Sequence, residues 1–518
     1  MTYATKFQTS RPIKRHNKWP LTSPSHIDAP VRRPARKVKR KLQAVARKFE
    51  KKRKKLPIQL QDKQRSKFEV KQQIYAFDKL PFQGVLSDEE IKRIALKYID
   101  PDSRDRVFDM TTTLWVFLSQ VLDPDHSCRG AVARYIAFLA NEGKSPCSLN
   151  TGSYCKARKR LPEGMISELA CNTARLLENE APIQWLWKGR SITLVDGSTL
   201  SMSDTPENQK AYPQSKSQKR GVGFPIARVV ALISMTTGAV FDFAIGPYAG
   251  KETGEHALLR QLMHNFSPND IMMGDGYYGC FWLLASLIMR GIDGVFPISG
   301  SRDFDFRKGE KFGTKDHIVI WHKPQRPKWM DKETYDSYPD SIKVRELEID
   351  ETAYNSGRVL VTTLLDQKVY SRNDISKLYD SRWLVEVDLN SIKTTMQMGI
   401  LRGKSPEMIQ KEIWMHLLGY NLIRKVISQS ASVNEQTPHQ ISFKGALQTI
   451  NSFRQSFQFS EKDEIQYRAL LNAISSQKVG SRPGRSEPRV VKRRPKPFRR
   501  LTKPRHKYKT GRPAAPMP

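Results

Sequence analysis

The chain has 518 residues, with 88 Lys/Arg against 52 Asp/Glu and a formal net charge of +36. That length allows two to four domains and at least one sizeable core, and the charge favours a polyanionic partner. The longest strongly apolar stretch, CFWLLASLIM at 280–289, is too short to span a bilayer, and no apolar run follows the basic N-terminus, so a cytoplasmic protein is expected.

Charge is concentrated at the ends. Residues 1–56 hold 19 Lys/Arg against Asp28 and Glu50, and residues 478–518 hold 15 against Glu487, leaving about five net positive charges between them. Both segments are Pro-rich and poor in apolar residues, and are expected to be disordered basic arms. Such arms bind polyanions through phosphate neutralisation. An anionic membrane would also attract them, but neither shows the Trp/Phe/Leu periodicity of an amphipathic anchor. Five cysteines, Cys128, Cys147, Cys155, Cys171 and Cys280, lack the paired short spacing of a disulfide framework or a zinc site.

After the first arm, Ser87 to Glu90 has a capping-box pattern, which predicts a helix over about 87–99. TTTLWVFLSQVL, CRGAVARYIAFLANEG and MISELACNTARLLENE follow with helical periodicity, so residues 57–185 are expected to form an all-α domain. Within it, Lys156, Arg158, Lys159 and Arg160 make a basic cluster that suits a solvated helix face and a DNA contact equally. From 190 the texture changes. SITLVDGSTLSM, ARVVALISMTTG and AVFDFAIGP predict three antiparallel strands, and helices and strands then alternate through IDGVFPIS. The interval 300–365 is strand-like, a helix follows around YDSRWLVEVDLNSIK, and residues 405–475 are helical again.

In that helix Tyr379, Arg382, Glu386 and Lys393 stand at i, i+3, i+7 and i+14, on one stripe of a regular α-helix. Leu378, Val385, Leu389, Ile392 and Met396 cluster on the opposite side, which predicts one buried face and one polar face. An ordinary mixed-charge surface helix would look the same. Two upstream carboxylates change the balance: Asp196 in LVDGS and Asp275 in MGDGY each end an apolar strand next to glycine, where backbone can approach a ligand. Alone, either is an ordinary turn aspartate. With Glu386 they form a three-carboxylate candidate.

Three convergent carboxylates raise one another's pKa unless a cation compensates. Hard oxygen ligands that leave room for water and phosphate oxygens suit Mg2+, with Mn2+ able to substitute. Two such ions about 4 Å apart can activate an attacking hydroxyl and stabilise a leaving 3′ oxygen at phosphorus. Arg382 and Lys393 flank Glu386 as phosphate partners, a fork and a point charge. Glu255 and His256 in GEHALL could touch metal or DNA near the presumed active strands, but are more ordinary as a helix-start glutamate and a satisfied histidine.

Tyr379, Arg382, Glu386 and Lys393 match the Y-(2)-R-(3)-E-(6)-K signature of DDE transposases of the bacterial insertion-sequence-four family, which the chain resembles over about 190–425. Asp196 and Asp275 fit the family's first and second catalytic aspartates, although GDGYYG departs from the commoner Asp-Arg-Gly form. The resemblance implies an α/β, RNase H-like catalytic domain over 190–425, with a mostly β insertion at about 297–365. An all-α DNA-binding domain at 57–185 precedes it, a helical C-terminal region at 426–477 follows, and the disordered basic tails lie at 1–56 and 478–518. It further implies a bacterial, nucleoid-associated enzyme that carries out Mg2+-dependent cleavage and strand transfer in cut-and-paste transposition. The enzyme would bind transposon ends and target DNA, as a homodimer in the DNA complex. Asp196, Asp275 and Glu386 are its expected metal ligands and catalytic residues, and Tyr379, Arg382 and Lys393 its DNA-binding residues. A Trp of the insertion stacks on a flipped base in the family, and Trp321 and Trp329 both lie in the right interval. A metal-dependent nuclease, or a domesticated relative acting as a DNA-binding protein, is the alternative.

Overall fold

The computed structural model describes residues 88–98, 107–141, 143–300, 302–349, 358–456, 463–480 and 500–508. The expected basic arm at 1–56 lies outside them, as does most of the basic tail. Among the described residues, five helices come first: α1 (Asp88–Tyr98), α2 (Met110–Leu122), α3 (Cys128–Asn141), α4 (Gly152–Arg160) and α5 (Glu163–Asn179). They match the predicted helical segments, and Asp109 caps α2 by accepting from the Thr112 amide at 2.7 Å.

The sheet that follows is built from runs that must be apolar on both faces. In β2 (Ile226–Ser234), Val229, Ala231 and Ile233 enter one core while Val230 and Leu232 enter the other. The same alternation splits Leu194 from Val195 in β1 (Ile192–Met202), and Met273 from Met272 in β4 (Ile271–Met273). β3 (Val240–Pro247) and β5 (Asp293–Pro297) complete the first half, in the spatial order β3-β2-β1-β4-β5. β2 is antiparallel to β1 and β3, whereas β4 is parallel to both β1 and β5. Helices α7 (Glu255–Leu262) and α8 (Phe281–Met289) supply Leu258, Leu259, Leu284 and Leu287 to one face. Between β1 and β2 lies the short α6 (Pro206–Ala211).

The strand-like interval extends the same sheet. β6 (Glu310–Gly313), β7 (Asp316–His322), β8 (Ser341–Glu348) and β9 (Val359–Thr362) form an antiparallel run joined to β5 through β9, with α9 (Lys332–Ser337) between β7 and β8. At its centre a buried polar network replaces apolar packing: Arg345 pairs with Asp316, and Glu346 accepts from the Trp321 indole at 2.7 Å and contacts His317 at 2.9 Å. Every member is paired, which is the condition for burying such groups without a large penalty.

On the sheet's other face runs α12 (Pro406–Val433), capped by Ser405 and followed by α13 (Phe443–Ser456) and α14 (Asp463–Ser475). α12 crosses the boundary expected near 425. It also joins the helical N-terminal part to the sheet, because α2 and α5 pack on it and their side chains share one continuous core with β1, β2 and β4. Asn421 is the polar link, donating to the carbonyls of Ala170 and Val240 while accepting from the Val240 amide. Periodicity finds these helices, but the polar groups buried along α12 hide its central position. One stretch of the predicted disordered tail differs from expectation: within 500–508, Pro504 packs on Gly221, whose φ of 76° and missing Cβ leave room for the ring.

Candidate active site

The parallel ladder between β1 and β4 pairs Ile192 with Ile271 and ends at Leu194 with Met273. Asp196 and Asp275 each lie two residues past that last pair, so the two carboxylates hold equivalent positions where the strands part. Contrary to the sequence reading, β1 does not end at Asp196. It continues to Met202 because its other edge stays paired with β2, from Asp196 opposite Ala231 to Ser201 opposite Ile226. Gly274 permits close approach in between: a Cβ there would meet the Tyr278 ring at 2.8 Å and the Val195 carbonyl oxygen at 3.2 Å.

Each aspartate is braced by local backbone. Asp196 accepts from the Gly197 amide at 2.8 Å, and Asp275 accepts from the Tyr277 amide at 2.9 Å in an Asx-type turn. Burial pushes Asp196 up to about 6, and the negative charges of Asp275 and Glu255 add to the rise, while the Gly197 amide and Arg382 oppose it. These interactions place Asp275, Arg382 and Glu255 in one electrostatic neighbourhood around Asp196.

The helix expected over Tyr379 to Lys393 departs from regular geometry twice. α10 (Arg372–Asp380) opens with a Ser371–Asp374 capping box and gives way to a 3-10 turn at Ser381–Trp383. α11 (Leu384–Asn390) is regular, and a π-helical turn follows at Ser391–Thr395. The apolar face is as predicted: Leu378, Val385, Leu389, Ile392 and Met396 are all buried. The polar stripe is not. Tyr379 is 1% exposed rather than outward-facing, and its hydroxyl makes no hydrogen bond of good geometry among the described residues. Burial raises its pKa, against the pull of the Arg382 and Arg358 cations. Arg382 donates to the Glu386 carboxylate at 2.8 Å; the Glu386 side chain is 62% exposed. Lys393, carried on the π-turn, donates to the Ser198 hydroxyl at 2.8 Å, two residues along β1 from Asp196.

As donors these side chains suit a hard divalent cation. The two aspartate carboxylates repel each other, and the nearby positive charge of Arg382 is engaged with the third carboxylate. In the free chain, however, no three His, Cys, Asp or Glu side chains among the described residues stand together at metal-ligand spacing.

Other residues border the two aspartates. The Glu255 carboxylate packs on Gly197, Tyr278 donates to it at 3.3 Å, and Arg228 approaches it at 4.0 Å. His256 is satisfied, as expected, by the Tyr277 carbonyl at 2.9 Å. The basic cluster on α4 divides: Lys156 and Lys159 are exposed, but Arg158 turns inward over the Phe117 and Tyr154 rings and donates to Gln120. In the insertion, Trp321 is buried under Arg302 with 3.6 Å from guanidinium carbon to ring centre, whereas Trp329 is 50% exposed and has Arg260 on its ring at 4.6 Å.

Residues 187–422 match the Transposase DDE domain family, whose members act with divalent metal ions. Transposase InsG for insertion sequence element IS4 of Escherichia coli is 26% identical over 401 residues, which cover 76% of this chain and 87% of that protein. The putative transposase InsZ of Escherichia coli is 24% identical over 145 residues, or 24% of this chain and 48% of InsZ. Among solved structures, the piggyBac transposase synaptic complex with hairpin DNA aligns over 79% of this chain and 86% of that one, at 12% identity and a TM-score of 0.37. No described helix is long and apolar enough to cross a membrane. The domain match spans both aspartates and the whole Tyr379-to-Lys393 signature, and with the long alignment to InsG it supports a DDE transposase of the insertion-sequence-four family.

Proposed function

We propose that this insertion-sequence transposase cuts DNA at terminal inverted repeats and transfers the freed strand to target DNA, with Asp196, Asp275 and Glu386 holding Mg2+. Arg382, Lys393 and Tyr379 engage the DNA strand. The observation that carries the reading is the equivalent ladder position of Asp196 and Asp275, with the charge of Arg382, the partner of Glu386, felt at Asp196. The strand order β3-β2-β1-β4-β5, with β2 antiparallel and β4 and β5 parallel to β1, supports an RNase H-like catalytic domain over 190–425. Strands β6 to β9 would be its β-rich insertion.

Bound at the carboxylates, divalent cations supply activation of the attacking hydroxyl and charge stabilisation at the leaving 3′ oxygen. The chain's own residues do the rest. Asp196 and Asp275 are prepositioned by the ladder, and their mutual repulsion makes cation capture favourable and coupled to proton release. Arg382 holds Glu386 until phosphate oxygens compete for its guanidinium fork. Lys393 sits on the same side of β1 as a point charge for the strand being cut. Tyr379, whose hydroxyl feels the charges of Arg382 and Arg358, would help position the strand near the scissile bond. Of the two insertion tryptophans, the exposure of Trp329 supports it as the base-stacking residue, because Trp321 is committed to its own core.

Helices α1 to α5, with exposed Lys156 and Lys159, would read the inverted repeats, and the basic ends would add salt-dependent affinity. Joining two ends calls for two protomers, hence a homodimer in the DNA complex. Full-length Glu386→Gln in a donor-plasmid assay tests the reading. Excision and strand transfer are expected to disappear while duplex binding without metal persists; transposition at the wild-type frequency would overturn it.

A further inference from the structure

A fourth carboxylate borders this site, and its position in the sequence disguises it. Glu255 is the first residue of α7, directly after the N-cap Gly254, where a glutamate ordinarily complements the helix dipole. Its carboxylate is instead drawn to β1. A Cβ built on Gly197 would lie 2.3 Å from the Glu255 carboxyl carbon and 2.5 and 2.6 Å from its oxygens. The carboxylate therefore fills the space that a side chain next to Asp196 would occupy. Glycine inside a strand weakens it, by loss of packing and by backbone entropy. A dipole partner alone would not require that vacancy.

Two groups hold the carboxylate there. Tyr278, fully buried and three residues beyond Asp275, donates its hydroxyl to Oε2 at 3.3 Å. Arg228 on β2 stands 4.0 Å from Oε1 and is itself anchored to the Thr253 carbonyl at 3.1 Å, just before α7. Glu255 is thus braced from the turn that carries Asp275 and from the strand beside β1. The side chain remains about a quarter exposed, so water reaches it.

We propose that Glu255 is a positioning residue of the active centre: it strengthens divalent-cation binding at Asp196 and Asp275 by accepting hydrogen bonds from the cation's water shell. The proposal rests on the metal-binding reading of those two aspartates. Outer-shell partners of this kind typically alter metal affinity by about 10–100-fold.

The test is a titration of the full-length, DNA-free protein with Mn2+, following free Mn2+ by its electron paramagnetic resonance signal, for wild type, Glu255→Gln and Asp196→Asn. Glu255→Gln keeps the shape and the Tyr278 contact and is expected to weaken Mn2+ binding about 10-fold. Its melting temperature and its metal-free affinity for a generic duplex should stay unchanged. Asp196→Asn is expected to abolish the same binding event. If Asp196→Asn abolishes it and Glu255→Gln leaves the affinity as in wild type, the role of Glu255 is overturned and the metal site stands. If Asp196→Asn has no effect, the metal-site reading itself falls. Should Glu255→Gln lower the melting temperature, Gly197→Ala decides, since it displaces the carboxylate while keeping its charge. Weakened Mn2+ binding in that variant supports the proposal, and wild-type affinity overturns it.

Discussion

Asp196 and Asp275 stand two residues past the last pair of one parallel ladder, whereas Glu386 stands on a helix whose geometry changes twice between Ser381 and Thr395. The aspartates are placed by backbone pairing and braced by adjacent amides, so their separation is set before any ligand arrives. Glu386 is mostly exposed and engaged with its own arginine. On the reading proposed above, folding would supply two corners of the centre and the third would be completed when phosphate oxygens draw Arg382 away; among the described residues no three-ligand cluster stands together.

The largest expected effect tests the prebuilt corners. Asp196→Asn or Asp275→Asn is expected to reduce end cleavage by about 10^3-fold or more, since several kcal/mol of transition-state stabilisation is at stake. Near-native melting is expected to persist; collapse of the fold would show that the aspartates are structural. Next comes the fastening of the helical corner. Asp388, two residues after Glu386, is fully buried and paired with buried Arg424 of α12, which also lies where a Cβ of Gly238 in the β2–β3 turn would be. Arg424→Met leaves a buried carboxylate uncompensated and is expected to cost about 3–5 kcal/mol in urea unfolding. A loss below 1 kcal/mol would mean that the pair does not secure this helix.

A smaller effect sharpens the comparison through pH. Buried His126 and His416 and half-buried His439 are held down to about 4, 4 and 3, so the stability they contribute is present above their ordinary 6.5 and is lost as pH falls towards 4. Asp196 runs the other way: raised from 3.8 to about 6, it makes the metal-free fold lose stability as pH climbs through that window. In chelator, wild type should gain stability from pH 4 to 6.5, and Asp196→Asn should gain it more steeply. Parallel urea-midpoint curves for the two would remove the claim that Asp196 sits in a strained electrostatic position. The smallest effect belongs to Lys393→Ala, expected to weaken duplex binding modestly and uniformly and to lower the salt slope by about one. An unchanged slope would leave Lys393 as a partner of Ser198 only.

Much of the fold was legible because its strands and helices carry unambiguous periods: the double-sided apolar runs of β2 and β4, and the apolar face through Leu378, Val385 and Leu389. The two aspartates were visible as acidic residues beside glycines. Their equivalent ladder positions were not, because register depends on which strands become neighbours. The run SITLVDGSTLSM was legible as one strand, but the reading of Asp196 as its end was not kept, since pairing with β2 holds β1 extended to Met202. The outward stripe failed at Tyr379 because the 3-10 and π turns alter the angle per residue on which such a stripe depends. Glu255 was read as a helix start, which it is. Nothing local announces that its carboxylate fills the place of a missing side chain on another strand.

The two-residue strand β10 (Ile400–Leu401) pairs in parallel with Ser201 and Met202 at the far end of β1. The amides of Met398 and Gly399 fold back onto the carbonyls of Ile392 and Lys393, so the π-turn and β10 form one stitched unit. The segment bearing Glu386 is therefore tied at its tail to the strand that bears Asp196, and through Asp388 and Arg424 to the long helix α12, so the catalytic candidate is held from two sides of the sheet.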